Sequence, residues 1–524
     1  MKKKEMRRYP YQFTVDGDGC IQAEQAKIKD LLAEYGSPLN IISHTQLIHN
    51  LGTLKETFAH YWEGPVRVLP AIKCNTSLAL CHALAAETEG CDLFSEGELI
   101  TALEAGYNPA YLSLNGNSKL TTDMVFLEKA IQQGVRITLD DKVEFEAIES
   151  IAKKLETKAR IRFRVRPMFP KMNEPSDFMP DVPCPAELAT FAYKAGIPTE
   201  DLVQLGPKAL KSEHVELTGL HLHMGRHCQG MGFWKAGMEG YARLIADLKN
   251  RWNGWEPGEI DIGGGFSQQF DPMMDLVKKK QNENKEYAWL SRLIKIASIF
   301  GETARYKMID SLIRMFHANT RKTSKFDLTE FSSPALEEYG QVAGFLKTAL
   351  EKRGIDTGRI VLELEPGRAI FGGAAIHVCR VSFLKQQTVP FPWAWAVTDT
   401  TEYFLMGGGH GANHPYAVDG KPLGDYTASR RLVADIVGKS CGPDRIIGDS
   451  CLPNDIEPGD LIAFIGTGAY QEMQSPNFNS MGRPATVLVR GDKTGLIRRR
   501  ETTADVLSRE MVPDWLGPAN STIN

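Results

Sequence analysis

Short apolar runs alternate with amphipathic stretches along most of this chain. Val66–Ile72, Ala110–Leu114, Val135–Leu139, Ile161–Val165, Leu217–Leu222, Ile260–Ile262 and Val361–Leu364 are apolar runs of strand length. Between them, stretches such as Ser77–Ala86 and Glu96–Ala105 carry apolar residues at helical spacing. Strands that alternate with helices predict a parallel sheet, because each return to the same end needs a crossover. This many units suit a closed (β/α)8, TIM-like barrel better than an open sheet. After residue 375 the pattern changes. Ala375–Leu384, Ala394–Thr398, Asp460–Gly466 and Ala485–Val489 are β-rich, with turns such as Pro458-Gly459. They predict a second, mostly β domain of sandwich or barrel type. Residues 1–40 contain a helical stretch near Gln22–Tyr35 and are expected to pack with that β-domain. The expected division is therefore a barrel over 41–375 and a C-terminal β-domain over 376–524. One stretch, about 271–331, is polar, helical and rich in Lys and Asn. It is expected as a helical insertion on a βα loop, where a lid and a surface or dimer contact are both open readings.

Composition narrows the class. A chain of 524 residues is long enough for two domains. With 42% hydrophobic and 24% charged residues it has an ordinary globular make-up. A net charge of −4 argues against a nucleic-acid partner. The basic start (Lys2, Lys3, Lys4, Arg7, Arg8) runs into Tyr-Pro-Tyr-Gln-Phe and then Asp16 and Asp18. It lacks the apolar core of a signal peptide, and no apolar run reaches membrane-spanning length. A soluble, cytoplasmic protein with no membrane partner is expected. The nine cysteines are scattered without zinc-ligand spacing, so they are expected to be reduced.

Four features carry candidate chemistry. Lys73 ends the apolar run Leu69-Pro70-Ala71-Ile72. At the carboxyl end of a barrel strand an amine can be desolvated and form a Schiff base, whereas the plainer reading is a surface lysine. Asp261-Ile262-Gly263-Gly264-Gly265 places three glycines after a strand, where backbone N–H groups can approach a phosphate. Glu363-Leu364-Glu365-Pro366-Gly367-Arg368 offers a buried carboxylate for a protonated ring nitrogen and an arginine for an anion; a structural ion pair is the alternative. Gly219-Leu220-His221-Leu222-His223 puts two histidines on one side of a strand. Without an accompanying zinc-type motif, stacking on a flat cofactor is the better reading than a metal site.

In combination, these features resemble the fold-type III pyridoxal-phosphate (PLP) decarboxylases, the group of diaminopimelate, ornithine and biosynthetic arginine decarboxylases. Further segments are similar. Asp92-Leu93-Phe94-Ser95-Glu96-Gly97-Glu98-Leu99 matches an Asp-x-x-Ser-x-x-Glu-Leu element, and Arg164-Val165-Arg166-Pro167 an arginine-bearing strand. Tyr193 to Ile197 matches a Lys-Phe-Gly turn, and Cys451 to Asp455 a Cys-x-x-x-Asp motif. Gly468-Ala469-Tyr470 and Asn477-Phe478-Asn479 match the segment that closes on the phosphate. The resemblance implies PLP as cofactor, held by Lys73, with His223 stacking on the ring and Glu365 at the pyridine nitrogen. It implies Gly263, Gly264, Gly265, Gly367, Arg368 and Tyr470 around the phosphate, with Arg368 alternatively meeting a substrate carboxylate. Asp92 and Arg164 would support the lysine side. Cys451 would be the proton donor, contributed across the interface of a homodimer.

Three departures concern the substrate. Relatives that act on diamino acids place an acid directly after the cysteine, where this chain has Leu452. An apolar residue cannot pair a buried ammonium, so Asp455 or Asp449 would have to substitute. Met406-Gly407 and His410 stand where an Arg-Pro and tyrosine element is expected, and Arg226 replaces a serine. Arg226 can meet the phosphate or an anionic substrate, or point outward. The expectation is an amino-acid decarboxylase resembling the diaminopimelate enzymes but with a different substrate. A PLP-dependent racemase and a non-catalytic binding homologue are the alternatives.

Overall fold

The computed structural model describes residues 12–16, 18–117, 119–120, 124–167, 169, 194–225, 230–268, 292–320, 335–389, 392–406, 414, 416–421 and 431–516. Arg226, His410 and Tyr193 lie outside them, as do both ends of the expected 271–331 insertion. The helix Glu302–Thr320 runs within its described part. The chain divides into two compact units. One comprises the described residues of Gln46–Asp271 and Phe331–Gly373; the other holds those of Met1–Thr45, Pro272–Glu330 and Ala374–Asn524.

The first unit contains eight parallel strands: β1 (Val66–Val68), β2 (Asp92–Leu93), β3 (Ser113–Leu114), β4 (Arg136–Leu139), β5 (Ala159–Val165), β6 (Val215–Leu222), β7 (Glu259–Asp261) and β8 (Val361–Leu364). From β2 to β8 each pairs with the next in sequence, and β8 pairs with β1. A parallel bridge between Ala71 and Asp92 joins the continuation of β1 to β2 and completes the ring. Helices such as Leu78–Ala85, Glu96–Glu104, Val143–Lys154 and Met231–Arg251 supply the crossovers. The strands are shorter than the apolar runs suggest. Val66–Ile72 is strand only to Val68, because Pro70 has no N–H for a ladder; Ile72–Cys74 is a 3-10 turn that carries Lys73. Likewise Pro109–Tyr111 forms a 3-10 turn ahead of the two-residue β3.

Alternation along these strands sorts the side chains. One face of each is apolar and buried, as in Ile137, Leu139, Ile161, Phe163, Leu220, Leu222 and Leu362. The other faces of the central strands carry Arg136, Arg162, His221, Glu259, Asp261 and Glu363, all buried as well. Barrel interiors are usually layers of branched aliphatic side chains. Here the buried polar set is ionic, and it is held together by direct hydrogen bonds.

The second unit contains a nine-stranded sheet. Its longest strand, Ala375–Gln387, pairs antiparallel with Leu39–Ser43, Trp393–Thr398 and Leu461–Ile465. Leu39–Ser43 also pairs in parallel with Ala485–Arg490, so the N-terminal segment is threaded into this sheet. One core gathers Ile28, Leu31, Leu39, Ile41, Val378 and Val487. Another gathers Ala396, Ile436, Leu452, Ile462 and Phe464. Fully buried His377 links strands here: Nδ1 lies 2.7 Å from Asn40 Oδ1 and Nε2 2.7 Å from Thr400 Oγ1. Burial holds its ring down to about 3. Among the described residues no helix is long and apolar enough to cross a membrane.

Candidate active site

The site is built where β1, β2, β3, β6, β7 and β8 end. Asp92 begins at β2, whose following helix is set by a local device. Ser95 Oγ accepts the Glu98 N–H at 3.3 Å, and the Glu98 carboxylate accepts the Phe94 N–H at 2.6 Å. This near-capping-box closes the turn after Asp92 and explains the Ser and Glu of the Asp-x-x-Ser-x-x-Glu segment. Lys73 donates from Nζ to Asp92 Oδ2 and lies over the Phe94 ring, 5.3 Å from its centroid. The Lys73 side chain is 36% exposed whereas Asp92 is fully buried, so the amine is held but reachable.

From Asp92 the contacts lead to Glu365. Asn115 Nδ2 donates to Asp92 Oδ1 at 2.6 Å and to Glu365 Oε1 at 2.5 Å. Ser113 Oγ donates to the same Glu365 oxygen at 3.2 Å. His221 Nε2 lies 3.1 Å from Glu365 Oε2. Burial pushes the His221 ring down to about 3, so the imidazole is neutral and Nε2–H is the donor. Burial and the nearby Asp92 push the Glu365 carboxyl up, while Arg162 and Lys73 oppose them.

The glycine triplet is shaped by the same neighbours. Gly263 has φ +69° and Gly265 φ +101°, the left-handed region that favours glycine. A Cβ on Gly264 would stand 2.4 Å from the Glu365 carbonyl oxygen. The Gly263 N–H donates to Asp261 Oδ1 at 2.7 Å, and the Gly264 N–H to His223 Nδ1 at 3.2 Å. Two of the three amides expected to face a phosphate therefore point to side chains here, and the triplet's closer task is to orient Asp261 and His223. With Nδ1 accepting, His223 carries its proton on Nε2. Burial, Arg164 and Lys73 keep the ring neutral, the state suited to lying against a flat heteroaromatic. Arg164 Nη1 donates to Asp140 Oδ1 at 3.2 Å, and Asp140 also accepts the Gly196 N–H. Gly367 precedes the short helix Arg368–Phe371, and Arg368 is buried at its start.

His221, Asp261 and Glu365 bring ligand-type atoms within 4.8 Å of one another. A guanidinium already supplies the positive charge there: Arg162 Nη1 lies 2.8 Å from Asp261 Oδ2, and Nη2 3.6 Å from Glu365 Oε1. The donor set fits PLP instead. It offers a reachable amine, a buried carboxylate directly after a strand's apolar end, and a neutral imidazole.

The matching family model is that of the pyridoxal-dependent decarboxylases, pyridoxal binding domain, which covers residues 44–306. The chain belongs to this family. A diaminopimelate decarboxylase of Archaeoglobus fulgidus is 28% identical over 95% of this chain and 99% of its own length. One from Methanothermobacter thermautotrophicus is 27% identical over 95% and 97%. Among solved structures, the diaminopimelate decarboxylase of M. jannaschii has a TM-score of 0.74 at 22% identity, covering 96% of this chain and 99% of that one. The arginine decarboxylase of Paramecium bursaria Chlorella virus has a TM-score of 0.59 at 16% identity, over 88% and 99%. At those identities the two structures speak for the fold. The chain is a PLP-dependent carboxy-lyase, with the barrel and mostly β second domain of that fold.

The remaining expected residues lie in the second unit. Cys451 is half-buried on the strand Arg445–Pro453, and its carbonyl accepts from Tyr416 Oη at 3.0 Å. Tyr470 is half-buried with φ +71°. The Asp455 side chain is 73% exposed and 3.7 Å from Lys421 Nζ. Leu452 has a packing role. It is fully buried in the apolar core of this unit, opposite Leu432, so packing by itself accounts for an apolar residue there. Sequence reasoning passed over Asn115, Ser113 and Arg162. One signal was present: Arg160, Arg162 and Arg164 occupy every second position, which places arginines on a single face of β5, with Arg166 just past its end.

Proposed function

We propose that this enzyme decarboxylates a free amino acid at a site in which Lys73 holds PLP and Glu365 faces the pyridine nitrogen. The observation that carries the reading is the connected path Lys73–Asp92–Asn115–Glu365. It ties the reactive amine to the carboxylate through one buried amide side chain. Bound PLP supplies an electron sink for the carbanion left when carbon dioxide departs.

The chain's own residues do the rest. Asp92 accepts from the Lys73 amine and orients it. Asn115, Ser113 and His221 hold Glu365 with both oxygens engaged. His223, fixed by the Gly264 amide, presents a neutral face to the ring. Gly265, Gly367, Arg368 and Tyr470 would hold the phosphate, and Cys451 of a second subunit would protonate the substrate carbon in a homodimer. Arg226, His410 and Asp455 contribute to reading the substrate's distal end.

For the substrate, the favoured reading is an amino acid other than meso-diaminopimelate, on the strength of Met406 and Arg226 at positions where the relatives carry different side chains. A second reading is meso-diaminopimelate itself. The relatives named diaminopimelate decarboxylase, matched over nearly their whole length, favour it, and Leu452, a core position, does not count against it. Carbon dioxide release from a panel containing meso-diaminopimelate, L-ornithine, L-arginine and L-lysine separates the two. Efficient turnover of meso-diaminopimelate sinks the first. Loss of optical activity without carbon dioxide would indicate racemisation. Lys73→Ala is expected to abolish the visible absorbance of the holoenzyme; an unchanged spectrum would refute the assignment of the lysine.

A further inference from the structure

A second polar cluster stands at the carboxyl ends of β3, β4 and β5, and the proposed chemistry leaves it without a task. Its centre is Asp140, the residue directly after β4. Asp140 Oδ2 accepts from Asn117 Nδ2 at 2.6 Å. Its Oδ1 accepts twice, from the Gly196 N–H at 3.0 Å and from Arg164 Nη1 at 3.2 Å. Its own N–H donates to Glu144 Oε2 at 2.8 Å. That oxygen also lies 3.0 Å from Lys119 Nζ, and the fully buried Lys119 ammonium donates onward to the Gly116 carbonyl. Both the main chain and the side chain of Asp140 are therefore tied.

The Gly196 turn is pressed against the end of β5. Gly196 has φ +93°, and a Cβ there would stand 2.8 Å from the Arg166 nitrogen. A parallel bridge between Val165 and Ile197 runs the turn along the strand. Asp140 thus sits between a fixed amide and Arg164.

Arg164 faces the site. It shares a face of β5 with Arg162, whose guanidinium reaches Asp261 and Glu363 inside the barrel. One step nearer the carboxyl end of the strand, Arg164 is in register with His221 and is the foremost charged neighbour of the His223 ring. A guanidinium carries five N–H donors in a rigid fork. Among the described residues Arg164 has one hydrogen-bond partner, Asp140, although its side chain is only 6% exposed. Buried donors on a cation are costly to leave unmet, so the part of the fork turned away from Asp140 suits an anionic oxygen.

We infer that Asp140 is a positioning residue for Arg164: braced by Asn117 and the Gly196 amide, it fixes Nη1 so that the rest of the fork meets an oxyanion of the bound cofactor or of the substrate. The inference rests on the reading that Lys73 and His223 mark where the cofactor lies. Asp140 touches neither ligand and acts through Arg164.

The test is a double-mutant cycle on the holoenzyme. The PLP dissociation constant, the KM of the best substrate in the panel above and the melting temperature are measured for Arg164→Met, Asp140→Ala and the pair. Each single variant is expected to weaken PLP binding or raise KM about tenfold or more, the worth of a charge-assisted hydrogen bond. Weaker PLP binding assigns the oxyanion to the cofactor; a raised KM with PLP binding kept assigns it to the substrate. The pair is expected to be no worse than Arg164→Met alone. A folded Asp140→Ala protein that binds PLP and substrate as wild type does overturns the proposal, even with a lowered melting temperature, because its acid is then merely structural. A pair whose loss is the product of the two single losses also overturns it, because Asp140 then acts by docking the Gly196 turn and not through Arg164. So does Arg164→Met with wild-type binding of both ligands. Should Asp140→Ala not fold, Asp140→Asn takes its place in the same cycle, since it keeps the side-chain shape and removes the charge that faces Arg164. An unchanged spectrum in Lys73→Ala instead sinks the underlying reading of the site, whatever Asp140 does.

Discussion

Glu363→Gln is the sharpest probe of the ionic barrel interior. Glu363 is fully buried and accepts from three guanidiniums, each at 2.5–2.7 Å. The substitution keeps shape and removes the charge, leaving Arg67, Arg136 and Arg162 with one anion fewer. Breaking a buried ion pair from one side costs about 3–5 kcal/mol. The ionisation of Glu363 gives a similar figure. Burial pushes its carboxyl up, but Arg136, Arg162 and Arg67 outweigh burial and hold it at about 2 against an ordinary 4.5. At 1.36 kcal/mol per unit that is about 3 kcal/mol. Domains of this size lose about 2–4 °C per kcal/mol, so the melting temperature should fall by roughly 6–20 °C. The assay is thermal unfolding followed by circular dichroism at pH 7. The sign in pH is set by the lowered folded value. The stabilisation is present above about 4.5 and is lost as pH falls towards about 2, so wild type and variant should converge in acid. A variant that melts within 2 °C of wild type at pH 7 would refute an ionic interior that stabilises the barrel.

Other outcomes follow from single sites. Cys451→Ala should retain the cofactor spectrum while amine formation falls steeply or is misdirected at the protonation step; unchanged amine formation contradicts a proton-donor role. Gly264→Ala would set a Cβ 2.4 Å from the Glu365 carbonyl, an overpacking worth about 1–3 kcal/mol, and PLP binding should weaken with stability. His221 and His377 are each held at about 3 by burial, against 6.5 when unfolded. Their contribution is full above about 6.5 and declines as pH falls, by about 2 kcal/mol each at pH 5. Denaturant unfolding at pH 5 and pH 7.5 should show this decline, and His377→Asn should reduce it.

The barrel and the site were legible in the sequence to different depths. Apolar runs alternating with helical patterns determined the (β/α)8 order, because that periodicity is local and each unit repeats it. The ordered motifs around Lys73, His223, Gly263 to Gly265 and Glu365 determined the family, since each sits at a strand end where the fold exposes it. Strand limits were set by backbone chemistry that an apolar run hides, such as the missing N–H of Pro70. Leu452 shows a second limit. Its position in a motif suggested a substrate contact, but strand alternation turns it into the apolar core. The ionic interior was beyond sequence reading for a further reason. Arg162 is a plain arginine among four until β7 and β8 bring Asp261 and Glu363 to it from 99 and 201 residues away. Local patterns fix which face a side chain takes, while only the closed sheet decides which charges share that face. Pairing is non-local, and in a buried site it is what sets the ionisation of the groups that do the chemistry.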